Sequence, residues 1–552
     1  MSSPNLTALA LFASLACHLF FKKYEPTDVP RLVGLLIVPP AVVAYFCELE
    51  SGNLAMSLLR SYSLYYSGLL FSILTYRISP LHPLSKYPGP LICKISKLWI
   101  TRVASQGKLH QYVKSLHDRY GPIVRVGPNE LSIIEVSLLP AILGSNGMPK
   151  GPLWDGRKIS GKKGSQAKEA ARGNLIGSRD PEDHAEARKA WNRAFNAAAI
   201  KGYEPILLRR VTQFIEALGS RQDATVDLSR WLSFFAFDFM GDIAFGGGFE
   251  LMRDGDKDGM WHIMESGLFL PTLTQQIPWC IGFIPYLPVG KEMKALGKFA
   301  FDQSKRRVQE GSVHDDLFYY LLDDKRADSA TYPFPLVVSN AVLAIVAGSD
   351  TSATVLSNTF FFLLTHPASY KRLQLEIDQA FPLGSKEPTD PALLANLPYL
   401  NAVIKESLRL LPPLPTSMQR APTPGSGSKV IAPNFVVSEG TSIIVPPYSL
   451  HRDPRYFSPS PDEFIPDRWL ADEKFTVNGD AFIPFSMGPA NCAGKNLAML
   501  ELRMIMACVL QRFEVRLADG YDVRRWEAEL KDYFVMQKGS LPVVLTSRAA
   551  QK

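Results

Sequence analysis

The sequence predicts a mainly α fold with small β-sheets (α+β), preceded by one or more transmembrane helices. Three observations carry that prediction. Apolar residues recur at helical spacing through most of the chain beyond residue 90. The strand-like runs are few and short, and they lie between longer helical stretches. The first eighty residues hold three apolar stretches, at 6–21, 32–47 and 62–76. With 46% hydrophobic and 20% charged residues in 552, the chain is folded and not disordered.

The first apolar stretch, LTALALFASLACHLFF, is followed by Lys22 and Lys23 and preceded by no basic residue. That charge order, with no clean cleavage pattern, marks an uncleaved anchor with the following chain in the cytosol. The other two stretches fall a little short of the ~20 residues a span needs, and Pro39 and Pro40 would kink the second. One span or three would satisfy the charge rule. With three, Glu48, Glu50 and Arg60 are lumenal, while Lys22, Lys23, Arg77 and Lys86 are cytosolic. Residues 1–80 are therefore read as the anchor. The next segment, HPLSKYPGP, carries three prolines and a glycine and cannot continue a helix, so 81–90 forms a stiff hinge and 91–552 the catalytic body.

Within the body the spacing predicts helices at 184–199, 205–218, 228–245, 291–311, 334–365, 367–381, 398–410 and 494–513. Strands are predicted at 123–128, 130–135, 435–438 and 442–447. Neither an internal repeat nor a low-complexity linker divides this region. Residues 266–289 are strongly apolar yet broken by four prolines, which suits a flexible roof over an apolar cavity. The net charge of +7, from 60 basic and 53 acidic residues without a long basic block, suits a membrane surface or an acidic protein partner and not nucleic acid. The six cysteines are dispersed with no CxxC, so a disulfide scaffold or zinc ribbon is excluded.

One of them, Cys492, sits in FSMGPANCAGKN (485–496), just before an apolar helix. Such a cysteine could be a nucleophile, a metal ligand, half of a disulfide or filler. A helix N-terminus favours the thiolate through its free N–H groups and dipole. Gly488 and Gly494 let the backbone pass close to a flat ligand, and a single thiolate ligand to a haem iron fits best.

Phe485-x-x-Gly488-x-x-x-Cys492-x-Gly494 resembles the haem-binding loop of the cytochrome P-450 superfamily. Three further motifs of that family stand in order upstream: Ala347-Gly348-Ser349-Asp350-Thr351-Ser352, Glu406-Ser407-Leu408-Arg409, and Phe464-x-Pro466-x-Arg468-Trp469. Within the family the chain most resembles membrane-bound fungal members. The resemblance implies the P-450 fold, haem b and an axial Cys492 ligand. It implies that Asp350 and Thr351 serve dioxygen and proton delivery, with Gly348 opening a groove in the central helix. Glu406, Arg409 and Arg468 become a structural triad. His184 and Arg188, which share a helical face, and Arg420 are candidates for the haem propionates. His184 replaces the family's usual tryptophan, and Ala490 stands where the family commonly has Arg or His. Asn491 or Lys495 could supply the missing contact.

The implied activity is insertion of one oxygen atom of O2 into a lipophilic organic substrate, in fungal secondary metabolism. No nicotinamide or flavin fingerprint is present, so electrons would come from NADPH through a separate membrane-bound NADPH–cytochrome reductase. That partner would be drawn to Lys495 and the basic run from Arg157 to Lys168. The implied location is the endoplasmic reticulum membrane, with the body in the cytosol. A peroxide-using haem-thiolate isomerase or dehydratase is one competing reading, against which the Asp350–Thr351 pair argues. A non-catalytic haem protein is another, against which the apolar roof argues, together with a lining expected from 269–284, 342–349, 414–418 and 534–536.

Overall fold

The structure is a computed structural model describing residues 3–24, 28–157, 174–257, 259–311, 315–323, 333–384, 387–471 and 473–548. Three helices come first: α1 (Ser3–Tyr24), α2 (Val29–Ser51) and α3 (Leu54–Ile78). The side chains of Asp28 and Asn53 accept backbone N–H groups of α2 and α3, which sets where those helices begin. Both helices run beyond the apolar stretches that predicted them. By length and composition, Asn5–Tyr24 in α1 and Val29–Leu49 in α2 could each cross a membrane. The three pack on one another and turn Phe12, Leu19, Val38, Tyr45 and Phe71 outward.

The Pro-rich segment after α3 is pinned to the first strand of the body. The Arg125 N–H donates to Pro88 O at 2.7 Å, and the Arg125 guanidinium contacts His82 and Pro128 O. A side chain at Gly89, whose φ is +155°, would lie 2.2 Å from Arg125 O, so only glycine fits this crossing.

The hub of the body is the 32-residue central helix, Phe334–Thr365. It ends where His366 precedes Pro367, a position that disfavours helical ψ. From Ser352 to Leu363 it is buried on every side, as an apolar helix inside a large core should be. It too is long and apolar enough to span a membrane, but here it is enclosed by protein. It packs most extensively on Leu228–Phe245. Strands Ile123–Gly127, Glu130–Ile133, Ser442–Val445 and Met418–Arg420 form a four-stranded sheet in that order, antiparallel except for the second and third.

The predicted helix 184–199 is interrupted. Its first part is Pro181–Ala194, and Asn196 caps a second helix, Ala197–Gly219, by accepting the Ala199 N–H at 2.9 Å. That second helix absorbs the predicted 205–218 with Pro205 inside it. The strand Met418–Arg420 and the sheet Phe513–Leu517, Pro542–Ser547, Thr225–Asp227 were not predicted, since each strand is short and finds its partner far along the chain. The roof segment 266–289 contains short helices, Phe269–Thr274 and Pro278–Tyr286. Thr272, Thr274, Gln275 and Gln276 are buried, whereas no residue of Pro278–Tyr286 is. The second half is half-buried and packs against Pro152–Arg157, the segment that carries Leu153 and Trp154.

Candidate functional site: the Cys492 loop and its surroundings

The cysteine loop is closed by its own backbone. Cys492 N–H donates to Phe485 O at 2.9 Å and Asn491 N–H to Gly488 O at 3.1 Å. Gly488 has φ +70°, and a Cβ there would lie 2.1 Å from Leu143 O. Gly494 caps the following helix, Lys495–Arg512. Phe485 is half-buried against the main core, with the Lys495 ammonium 5.8 Å from its ring centre.

Cys492 is solvent-accessible, yet burial pushes its thiol above the ordinary value, opposed by the N–H groups of Gly494 and Lys495 and by the charges of Arg188 and Lys495. This combination is expected of a thiol at the floor of an interior hollow. Without a partner the sulfur is a protonated thiol and not an activated nucleophile; a coordinated metal would deprotonate it.

Beside the loop lies a cluster of bases from three elements. Arg188, on Pro181–Ala194, donates to Asn491 O at 2.5 Å and Asn491 Oδ1 at 2.7 Å, which ties that helix to the residue before Cys492. His184, one turn earlier, is buried; its pKa is pushed down to about 3 by burial and by the neighbouring charges of Lys150, Arg188 and Arg420. All the charges that shift it are positive. Arg420 is buried on the strand Met418–Arg420, lowered to about 10 by burial. It pairs across a single β-bridge with Lys150, whose ammonium donates to Leu175 O and Ile176 O at 2.7 and 2.8 Å. Such a gathering of cations calls for an anion. Lys150 was not singled out from the sequence, where it is one lysine in a Gly/Pro-rich stretch, and only the β-bridge to Arg420 draws it in. The basic run 158–168 lies outside the described residues.

Between Val342 and Thr351 the central helix has a half-exposed face, Val342, Leu343, Val346, Ala347, Gly348 and Thr351, before it becomes fully buried from Ser352 to Leu363. Thr351 Oγ1 donates to Ala347 O at 2.6 Å. Asp350 is 4% exposed, so it has little contact with bulk water, and its Oδ2 has no hydrogen-bond partner. Burial raises its pKa, and the charge of Lys538 opposes this. A Cβ at Gly348 would lie 2.5 Å from Met240 Sδ, so the glycine also allows close packing on Leu228–Phe245. Next to Thr351, Ser352 donates to Glu501 Oε2 at 2.7 Å. Glu501 is buried on the helix after Cys492, its Oε1 is unpartnered, and burial pushes its pKa up to about 8. This link between the two helices was not anticipated, because a glutamate on a long helix normally faces solvent.

The triad assembles with all three side chains fully buried. Arg409 holds both Glu406 oxygens at 2.8 Å. Arg468 Nε, Trp469 Nε1 and Ile465 N–H donate to the same carboxylate at 2.9, 2.9 and 3.0 Å. Burial would raise Glu406, but the Arg409 hydrogen bond, the charges of Arg409 and Arg468 and the Ile465 N–H outweigh it and hold the carboxyl below its ordinary value. Arg409 also donates to His451 O at 2.8 Å, and His451 Nε2 accepts the Ile483 N–H at 3.0 Å. The triad is thereby coupled to the entry of the cysteine loop two residues later.

An apolar cluster joins Leu153, Trp154, Leu268, Phe534 and Val535, with Val346 and Leu414 against it. Phe534, at φ +79°, meets Trp154 edge-on at 5.6 Å. Thr416 donates to the buried Asp532 at 2.7 Å. The predicted lining segments around 346, 414 and 534 thus meet in space.

The residues present fit haem: a solvent-accessible thiol at a helix start, a cation cluster for two carboxylates, and a loop glycine at positive φ packed on Leu143 O. The cytochrome P450 family model matches residues 86–542. The chain is 35% identical over 488 residues to a cytochrome P450 monooxygenase, FCK2, of Fusarium pseudograminearum, covering 87% of this chain and 85% of that protein. It is 30% identical over 552 residues to the cytochrome P450 monooxygenase nodW of Hypoxylon pulicicidum, covering 99% and 98%. To the tryprostatin B 6-hydroxylase of Aspergillus fumigatus it is 31% identical over 510 residues, covering 90% and 87%. A match of this extent, on a mostly helical body with a haem-compatible cysteine loop, makes the chain a member of the cytochrome P450 family, a monooxygenase that uses haem b and electrons from a redox partner.

Proposed function

We propose that this protein is a membrane-bound monooxygenase of fungal secondary metabolism that hydroxylates a lipophilic small molecule, with Cys492 as the residue that would hold the haem iron. The observation that carries the reading is the Cys492 loop, closed by Cys492 N–H to Phe485 O, tied to Arg188 through Asn491, with its thiol solvent-accessible at a helix start. Haem b, when bound, supplies the dioxygen and electron chemistry. His184, Arg188, Arg420 and Lys150 would hold its carboxylates; the position where the family commonly has Arg or His is Ala490, and Arg188 reaches the loop through Asn491 instead. Glu406, Arg409 and Arg468 hold the loop in place through His451.

On the central helix, Thr351 Oγ1 would exchange its bond to Ala347 O for one toward the substrate space, and the Asp350 carboxyl, whose Oδ2 has no partner of its own, would carry a proton and hand it to the Thr351 hydroxyl as that hydroxyl gives up its own. The cluster of Trp154, Leu268, Phe534, Val346 and Leu414 excludes water and takes the apolar substrate. The relatives named as tryprostatin B 6-hydroxylases support hydroxylation as the outcome. Electrons come from NADPH through a membrane reductase at the endoplasmic reticulum, the body lying in the cytosol. Lys495, exposed beside the loop, attracts that partner.

The test is the spectrum of the dithionite-reduced, carbon-monoxide-bound protein, together with reductase-driven turnover. A strongly red-shifted Soret band that Cys492→Ser abolishes supports the assignment. A histidine-type band in the intact parent protein, or full turnover by Cys492→Ser, refutes it.

A further inference from the structure

Helix α3 carries Ser57, Arg60, Ser61, Tyr62, Ser63, Tyr65, Tyr66 and Ser67 in its first half. It is not among the helices apolar enough to cross a membrane by composition. Its polar groups, however, face a specific defect in its neighbour. Pro39 and Pro40 lie inside α2 and have no N–H, so the carbonyls four residues earlier, Leu35 O and Leu36 O, lose their helical donors. Tyr65 donates its hydroxyl to Leu35 O at 2.7 Å, and Tyr66 donates to Leu36 O at 3.0 Å. Tyr62 donates to Ile37 O at 3.1 Å, and Ser61 Oγ to Pro40 O at 2.5 Å.

The prolines fall at the middle of the 23-residue α2, and Tyr65 falls at the middle of the 25-residue α3. At 1.5 Å per residue each helix is roughly as long as the ~30 Å hydrocarbon layer is thick. The defect and its donors would therefore lie at the bilayer midplane, where an open carbonyl costs several kcal/mol. Helix α1 closes the bundle. Cys17 Sγ contacts Leu35 O, His18 Nδ1 pairs with Ser72 Oγ at 2.6 Å, and Gly68 lies so close to α1 that a Cβ would be 2.7 Å from Ser14 Oγ. Leu11, Phe12, Leu15, Val38, Val42, Leu59, Leu70 and Phe71 face outward, a coat suited to acyl chains. Lys22, Lys23, Arg31 and Arg77 gather at one end of the bundle, with Arg60 toward the other.

We propose that α3 is a third membrane span, too polar to insert alone and held in the bilayer because its tyrosines complete the carbonyls that Pro39 and Pro40 leave open. The anchor is then a folded three-helix unit with the 52 turn in the lumen. This reading is independent of the haem chemistry.

The test uses full-length protein in microsomes, with spacer-flanked glycosylation tags at the 52 turn and at the C-terminus. A glycosylated turn with an unmodified C-terminus is expected. An unmodified turn, or a glycosylated C-terminus, overturns the third span. A second experiment reads the role of the tyrosines from proteolysis within 52–78 of the purified protein in lipid nanodiscs. Tyr65→Phe/Tyr66→Phe should speed cleavage about 8-fold, the factor that two intramembrane hydrogen bonds of ordinary strength give. The same double change should have no effect when Pro39→Ala/Pro40→Ala restores the helical bonds. Equal acceleration in both backgrounds, or none in either, refutes the capping.

Discussion

The two sides of the Cys492 site are built on opposite principles. On the side of the triad, one buried carboxylate, Glu406, is over-determined: it accepts from two arginines, a tryptophan and a backbone N–H. Where the central helix meets the helix after Cys492, buried carboxylate oxygens are left open, Asp350 Oδ2 on the one and Glu501 Oε1 on the other. A satisfied network is rigid and holds one geometry, whereas an open donor or acceptor is available to something that arrives. The comparison teaches that the Glu406 carboxylate is fixed in one geometry, whereas Asp350 and Glu501 each keep an acceptor open.

Removing a triad member should have the largest effect. Glu406→Ala leaves Arg409 and Arg468 buried without their carboxylate, a change of about 3–5 kcal/mol. It should abolish recovery of haem-loaded protein, read from the haem absorbance per mole and the thermal midpoint. A folded, haem-replete Glu406→Ala protein would remove the distinction between the two sides.

Gly488→Ala comes next. Its Cβ meets Leu143 O at 2.1 Å and the φ of +70° is unfavourable for alanine, with a strain of roughly 1–3 kcal/mol from the backbone alone. Weakened haem retention is expected on dilution, with the rest of the fold intact by circular dichroism. Unchanged retention would mean that the loop is not held against Leu143.

Glu501 sharpens the comparison through pH. Its carboxyl is raised from 4.5 to about 8 by burial, so between those values the folded state binds more protons than the unfolded one. Stability therefore falls as pH rises from about 5 to 8, by at most roughly 1.4 kcal/mol per unit. Glu501→Gln, which keeps a hydrogen-bonding side chain next to Ser352 without a titrating group, should flatten that slope in thermal melts recorded from pH 5 to 8. A parent slope that persists in the variant would assign it to other groups.

Thr351→Ala should have the smallest structural effect. The lost hydroxyl bonds only within its own helix, so stability should change by less than ~1 kcal/mol. The ratio of product to NADPH consumed should nevertheless drop, with peroxide released. Unaltered coupling would end the proton-handling role, and a large loss of stability would place Thr351 with the rigid side.

Much of the site was legible because its logic is local. The turn around Gly488 and the helix after Gly494 follow from glycine conformations and an adjacent apolar run, and Glu406 and Arg409 meet because i and i+3 share a helical face. The less local parts were not legible. Lys150 reaches Arg420 across a β-bridge spanning some 270 residues of sequence, and His451 carries the triad to Ile483 through one backbone bond on each side. The close packing of Gly348 on Met240 of another helix is likewise not written in the residues around it.

The sequence by itself determined the helical class, the bounds of the central helix and the thiol loop, because periodicity, proline and glycine act on their immediate neighbours. The tertiary structure alone decided which charges gather around His184, that Asp350 and Glu501 are buried, and that the tyrosines of α3 meet the open carbonyls of α2. Those outcomes depend on which distant surfaces exclude water from one another, and burial is a property of the packed whole, not of any one segment.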